Sequence, residues 1–308
     1  MRVWLPYDSA DQARARLAPV PANIHIDVFS GTKPPPGPDE VFFLALPNDP
    51  VRELMKRVMR WPLPRLRWVQ LASAGYEHIV DLVPGHLGVC NAAGVHDAGT
   101  AELAVGLAIA HLRGIDHYAM DRRSDVFDPQ IGDSLADKRI LIVGYGHVGA
   151  AIERRLAGFE VASVTRVARR AKADPMVHSS VALPHLVGDA DVIFLAVPGD
   201  ASTRHLVDAG LLSKMHDGTL IVNVGRGVLL DLDALLAEDG RIHAAVDVTD
   251  PEPLTPGHPL WHAKYVTWTP HVGGRTTAFI PRYDRLLRTQ LGKLALNQPL
   301  LNVIRKPT

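Results

Sequence analysis

At 308 residues the chain is long enough for two domains, and its 47% apolar and 21% charged content is that of a soluble globular protein, which excludes a disordered or fibrous chain. Lysine plus arginine equals aspartate plus glutamate at 33 each, so no net field favours nucleic acid or an anionic membrane as partner. A single cysteine, Cys90, excludes an internal disulfide framework; with a start too polar for a signal peptide and no apolar stretch long enough to span a bilayer, a cytoplasmic protein is expected.

Short apolar runs at residues 3–5, 24–28, 41–46, 68–71 and 88–90 read as strands, with a helical pattern from Pro50 to Met59 between two of them. Continuous apolar strands alternating with helices predict a parallel sheet covered on both faces. Residues 33–38, rich in proline, read as a loop because proline cannot donate to a ladder. A helix is predicted over 100–112, capped by Asp97 or Thr100 and ended by Gly114. A second series follows: a strand at 139–143, a glycine motif with a helix to about 157, then strands at 161–164, 192–197, 220–224, 243–246 and 266–268. Asp231 can cap one connecting helix, and Gly240 suits the left-handed position just past its end. From about 281 the chain reads as a helix with Leu286, Leu287, Leu291 and Leu294 on related faces, then a short tail. Such a helix can carry the chain back to the first domain. The division drawn is therefore 1–97 with 275–308 as a substrate-binding domain, and 98–274 as a dinucleotide-binding domain.

The glycine motif is Gly144-Tyr145-Gly146-His147-Val148-Gly149. Its first glycine makes the turn, the second lets backbone approach a pyrophosphate, and the third allows close helix packing. The N–H groups of His147 and Val148 can then face phosphate, aided by the helix dipole. An NAD site wants an acidic residue about 20 residues on, for the ribose 2′-hydroxyl. Here the chain runs Val164-Thr165-Arg166-Val167-Ala168-Arg169-Arg170, with no carboxylate. The Thr165 hydroxyl with Arg166, Arg169 and Arg170 suits the 2′-phosphate of NADP, so NADP(H) is preferred and NAD(H) remains usable. A solvated basic turn is the plainer alternative.

Three later stretches each set one functional side chain beside glycine or proline, as loops over a ligand do: Gly225-Arg226-Gly227, Pro251-Glu252-Pro253 and Thr269-Pro270-His271, with spacings of 26 and 19 residues between the functional groups. A guanidinium, a carboxylate and an imidazole together can hold an anionic substrate and move one proton at neutral pH. Taken singly, each has a dull reading: a surface ion pair, a solvated charge, a loop histidine bonded to backbone. Among the 15 histidines, His258 and His262 have helical spacing but Pro259 between them, and no Cys/His cluster has structural-zinc spacing, so no metal is expected.

The ordered series Leu71-Ala72-Ser73-Ala74-Gly75-Tyr76-Glu77-His78, Ala101-Glu102, the glycine motif, Ala190 to Pro198, Ile221 to Gly227, Asp247 with Glu252-Pro253-Leu254, and Thr269-Pro270-His271 resembles the D-isomer-specific 2-hydroxyacid dehydrogenases. The likeness runs over nearly the whole chain. It implies an α/β fold of two doubly wound parallel-sheet domains, a flavodoxin-like substrate domain and a Rossmann cofactor domain, with the active site in the cleft between them. It implies that Arg226, Glu252 and His271 are catalytic and that the Ala74 and Gly75 amides bind the substrate carboxylate. Val197 and Pro198 match a segment over the cofactor riboses, Asp247 a carboxylate near the nicotinamide amide, and a homodimer formed largely through cofactor domains is implied too. Two departures stand out. The arginine-bearing turn replaces the acidic ribose residue of NAD-using members, and no appended regulatory domain is expected after residue 308.

The reaction implied is hydride transfer between NADP(H) and a small D-2-hydroxy acid or 2-oxo acid of the glyoxylate or hydroxypyruvate type, with His271 as acid/base. A cofactor-sensing regulator or co-repressor without turnover is an alternative, as is a reductase of an unusual 2-oxo acid such as a phosphonate analogue. Residues near Leu46-Pro47-Asn48, Tyr76 and Tyr283 are expected to line the substrate side-chain pocket. Cys90 is expected to be buried and inert, His96 structural, and Trp261 and Trp268 packing residues.

Overall fold

The computed structural model describes residues 1–29, 33–47, 51–77 and 79–308; Asn48, Pro50 and His78, which figure in the expectations above, lie outside them. In chain order come β1 (Arg2–Leu5), α1 (Ala10–Leu17), β2 (His25–Val28), β3 (Val41–Ala45), α2 (Val51–Val58), β4 (Trp68–Gln70) and β5 (Gly88–Cys90). Next are α3 (Asp97–Leu112), α4 (Ile115–Asp121), β6 (Arg139–Val143), α5 (His147–Leu156), β7 (Ser163–Ala168), β8 (His178–Ser179) and α6 (Leu183–Leu186). β9 (Val192–Leu195), α7 (Ala209–Leu212), β10 (Leu220–Asn223), α8 (Leu232–Ala237), β11 (His243–Val246) and β12 (Val266–Trp268) follow, and the chain ends with α9 (Phe279–Ala295) and β13 (Val303–Arg305). Contacts divide it into two compact units, Met1–His96 with Thr277–Thr308, and Asp97–Thr276.

The first unit is a sheet of order β13-β5-β4-β3-β1-β2, parallel except for β13, which runs antiparallel along β5. Without β13 this is the flavodoxin-like doubly wound order. Alternation sorts the side chains: Val3 and Leu5 face a cluster with Leu287 and Leu291 of α9, while Trp4 and Leu44 face Met55 and Val58 of α2. Apolar residues at every strand position are what a sheet covered on both faces requires. The tail expected after α9 forms β13 instead, and a buried amide network holds it. Gln290 Nε2 donates to Gln70 Oε1 at 2.8 Å, and the Leu301 N–H donates back to Gln290 Oε1 at 3.0 Å. The Val303-Ile304 pair after Leu300 is too short to announce a strand without the tertiary contacts that pair it.

The second unit is a seven-stranded sheet, order β12-β11-β10-β9-β6-β7-β8, with every pairing parallel. Strand order reverses between β6 and β9, the switch point at which such sheets bind ligands outside their carboxyl ends. α3 begins at Asp97, three residues before the expected start, so Asp97 opens the helix instead of standing outside it. β7 is displaced from the expected 161–164: it pairs with all of β6, from Arg139↔Ser163 to Val143↔Val167, and continues to Ala168. Asp231 caps α8 as expected, accepting from the Asp233 and Ala234 N–H groups at 3.1 Å. Past that helix the left-handed turn falls on two residues, Asp239 (φ 47°) and Gly240 (φ 86°), not on the glycine alone. No helix among the described residues is long and apolar enough to cross a membrane.

Candidate active site

Gly144, Arg169, Val197, Arg226, Asp247 and His271 follow the carboxyl ends of β6, β7, β9, β10, β11 and β12 respectively. One edge of one sheet therefore collects most of the expected site residues.

The glycine turn tests whether a dinucleotide fits. Gly144 has φ 104°, and a Cβ there would lie 2.5 Å from the Ala196 carbonyl carbon and 2.7 Å from the Val197 nitrogen. A Cβ on Gly149 would lie 2.3 Å from the Gly144 oxygen, so that glycine lets α5 pack down on the turn. Gly146, by contrast, has open space where its side chain would be. The bare backbone there is not a packing device and leaves room for a phosphate. Gly146 also precedes α5 without a side-chain cap, which leaves the first N–H groups of the helix, those of His147 and Val148, aimed outward. The chain thus fits a pyrophosphate at this turn. Val197 packs on the second-unit core, and the Pro198 carbonyl accepts from the Thr203 hydroxyl at 2.9 Å, which fixes the neighbouring wall.

The extended β7 changes which of the expected residues stand beside the glycine turn. Gly144 and Tyr145 both donate backbone hydrogen bonds to the Val167 carbonyl, at 2.8 and 3.0 Å, so the strand end beside the turn is Ala168, not Val164. Thr165 and Arg166 lie within the strand, and Arg166 is paired with Glu153. The exposed Arg169 and Arg170 are the residues that leave the strand beside the turn.

Arg226 sits on a tightly built loop. Asn223, fully buried at the end of an apolar strand, donates to the Arg226 carbonyl at 3.0 Å and accepts from the Gly225 N–H at 3.1 Å. A Cβ on Gly227 would lie 1.9 Å from the Thr249 oxygen, so only glycine admits this approach to the loop that carries Glu252. That second loop is anchored by Leu254, buried in the second-unit core.

His271 completes the group. Its Nδ1 lies 2.5 Å from Glu252 Oε1, with the two side chains 48% and 43% exposed, which leaves Nε2 as the ring nitrogen for a ligand. The Glu252 hydrogen bond, with that carboxylate's charge and Asp247's, raises the His271 pKa; desolvation and the nearby Arg226 charge pull the other way. His271 adopts φ 52°, a costly backbone for a side-chain-bearing residue, so something must hold it there. Asp247 does. Its carbonyl accepts from the His271 N–H at 2.8 Å, and its buried carboxylate accepts from the Thr269 hydroxyl, the Val272 N–H and the Gly273 N–H at 2.6, 2.8 and 2.9 Å. Asp247 was expected beside the nicotinamide amide; the bonds it makes are to the histidine loop. Thr269 and Asn223 went unnoticed as site-building residues. A buried-strand position ending in Asn before Gly, and a hydroxyl two residues before the histidine, are the signals that could have flagged them.

In the first unit, Ala74 and Gly75 lie on the loop after β4, shaped by Asn91 Nδ2 donating to the Ala74 carbonyl at 2.6 Å and the Ser73 hydroxyl donating to the Gly75 carbonyl at 2.7 Å. The Tyr283 hydroxyl donates to the Leu46 carbonyl at 2.8 Å, and Pro47 and Tyr283 border a cavity of about 160 Å³. Cys90 is fully buried, which pushes its thiol up to about 12, so it is no nucleophile. His96 bonds the Ala72 carbonyl at 2.8 Å and stacks on Phe279, while Trp261 and Trp268 pack edge to face at 4.3 Å. Among the described residues, no three of His, Cys, Asp and Glu converge as metal ligands.

Residues 105–273, more than half of the chain, match the family model described as D-isomer specific 2-hydroxyacid dehydrogenase, NAD binding domain. A glyoxylate reductase of Thermofilum pendens is 30% identical over 69% of this chain and 67% of its own length. The glyoxylate/hydroxypyruvate reductase B of Salmonella newport is 29% identical over 73% of each chain. A D-isomer specific 2-hydroxyacid dehydrogenase of Xanthobacter autotrophicus, solved with NADPH and MES, superposes with a TM-score of 0.78 over 98% of this chain and 97% of that one, at 24% identity.

Proposed function

The chain belongs to the D-isomer-specific 2-hydroxyacid dehydrogenase family, NAD(P)-dependent oxidoreductases of small 2-hydroxy and 2-oxo acids, and from that premise we propose that it is an NADP-preferring reductase of the glyoxylate or hydroxypyruvate type with His271 as its acid/base. The observation that carries this reading is the His271–Glu252 hydrogen bond in the field of Arg226.

A bound nicotinamide supplies hydride to the carbonyl carbon of the 2-oxo acid. Arg226 grips the substrate carboxylate and draws charge on the carbonyl oxygen. As negative charge grows on that oxygen, His271 donates its Nε2 proton to it. Glu252, on Nδ1, stabilises the imidazolium, so the acid is loaded near neutral pH. Run backwards, the neutral imidazole takes the hydroxyl proton of the 2-hydroxy acid.

Two features support the finer choices. Arg169 and Arg170 leave β7 where NAD sites place a carboxylate, and paired guanidinium groups match a 2′-phosphate; the Xanthobacter neighbour holds NADPH. Between α4 and β6, Phe127 is 94% and Ile131 105% exposed, apolar surface that a second copy covers in a homodimer. The test is a panel of 2-oxo acids with NADPH and NADH. Oxidation of NADPH by glyoxylate or hydroxypyruvate, with kcat/KM above that for NADH, is the expected result. Equal or better use of NADH removes the cofactor preference, and cofactor binding without turnover turns the reading to a sensor.

A further inference from the structure

Three side chains around the glycine turn take no part in the chemistry above, yet are tied to one another. The Tyr145 hydroxyl donates to Glu153 Oε2 at 2.5 Å, Arg166 Nε donates to the same oxygen at 2.8 Å, and Arg166 Nη2 donates to Glu153 Oε1. The Arg166 guanidinium carbon stands 5.6 Å from the centre of the Tyr145 ring. With the Glu153 and Arg166 side chains only 22% and 23% exposed, this is a half-buried fork, in a setting where an ion pair holds its geometry. Arg166 keeps the Glu153 carboxyl below its usual range, and Glu153 raises the Tyr145 phenol, so donors and acceptors stay matched at neutral pH. The backbone joins in, because the Gly144 and Tyr145 N–H groups both end on the carbonyl of Val167, the residue after Arg166. Tyr145 lies between the two glycines that give the turn its shape. It is therefore held by α5 through Glu153 and by β7 through Arg166 and Val167.

We infer that Tyr145, Glu153 and Arg166 are positioning residues for the nucleotide: the triad locks the glycine turn so that the His147 and Val148 amides are preset for a pyrophosphate, and it withdraws Arg166 from the cations left for a 2′-phosphate, which are Arg169 and Arg170. The inference rests on the proposed dehydrogenase function. A turn already ordered loses little entropy when phosphate binds, and a turn cut loose must be ordered at the expense of affinity. Because NADPH and NADH share the pyrophosphate, loss of the triad weakens both by the same factor. An Arg166 that touched the 2′-phosphate would instead affect NADPH alone.

Dissociation constants for NADPH and for NADH, measured by calorimetry without substrate, test this on wild type, Tyr145→Phe, Glu153→Gln and the double variant. Circular dichroism melting establishes that each is folded. Each single variant is expected to bind both cofactors about tenfold more weakly, the scale of one hydrogen bond to a charged group. The ratio of NADPH to NADH affinity stays at its wild-type value, and the double variant is no weaker than the weaker single, because all three groups form one unit. Wild-type affinity in both singles, a loss confined to NADPH, tighter NADPH binding by Glu153→Gln, or losses that multiply in the double variant would each overturn the inference while leaving the dehydrogenase reading intact. A wild-type protein that binds neither cofactor overturns both.

Discussion

At the scale of the residue, the imidazole of His271 is defined by what touches its other nitrogen. Glu252 raises its pKa chiefly by the hydrogen bond, and Arg226 moderates the rise. Under the proposed mechanism reduction needs the imidazolium, so its rate should fall as pH climbs through that raised pKa; oxidation needs the neutral ring, so its rate should climb over the same range. Glu252→Gln removes the charge that favours the imidazolium. Both limbs should move to lower pH in kcat/KM profiles measured in the two directions, and an unmoved profile would separate Glu252 from the proton. The same sign holds for stability: a histidine whose folded pKa is raised stabilises the fold below its unfolded value of about 6.5, and that contribution is lost as pH rises through the folded pKa. The sequence singles out Arg226, Glu252 and His271 because glycine or proline adjoins each one, and the structure joins two of them by a hydrogen bond. Asp247 was harder to read. A buried carboxylate that holds a left-handed histidine through 269–273 looks, in sequence, the same as one that meets a ligand.

At the scale of the element, patterning located the strands with unbroken apolar runs, such as 41–45, 140–143 and 192–195, because a sheet buried on both faces leaves no other pattern. It misplaced β7. Its Ser163-Val164-Thr165-Arg166 stretch reads as polar, and only the five-rung register with β6 and the Glu153 partner of Arg166 make it a strand. It also missed β8 and β13, strands of two and three residues that are too short to carry a periodic signal. Capping was easier, since the Asp231 carboxylate needs only the local N–H groups of α8. Asp231→Ala should cost about 1 kcal/mol in denaturant unfolding, the usual value of an N-cap, while kcat/KM stays near wild type. A much larger loss would mean that the short α8 is held by its cap more than by Leu232 and Leu235.

At the scale of the whole molecule, the two sheets have different strand orders, and each reverses between two adjacent parallel strands, β1 and β3 in one and β6 and β9 in the other. The second unit gathers Gly144, Arg226, Asp247 and His271 along one sheet edge with no need of the first. Patterning showed two α/β series; the strand orders were implied only by the family resemblance, since crossovers leave no mark on composition. The homodimer belongs to this scale as well. Light scattering should give twice the chain mass of 33.5 kDa, and Phe127→Asp with Ile131→Asp should shift the protein toward monomer. A wild-type protein of single-chain mass would leave that apolar surface without its second copy.

The measurement that bears most directly on the central proposal is single-turnover reduction of glyoxylate or hydroxypyruvate by the NADPH-loaded protein and by its His271→Ala variant, with the NADPH dissociation constant determined for both. Proton donation by His271 predicts a rate lowered about a thousandfold with cofactor affinity unchanged. A variant that turns over at close to the wild-type rate would contradict it.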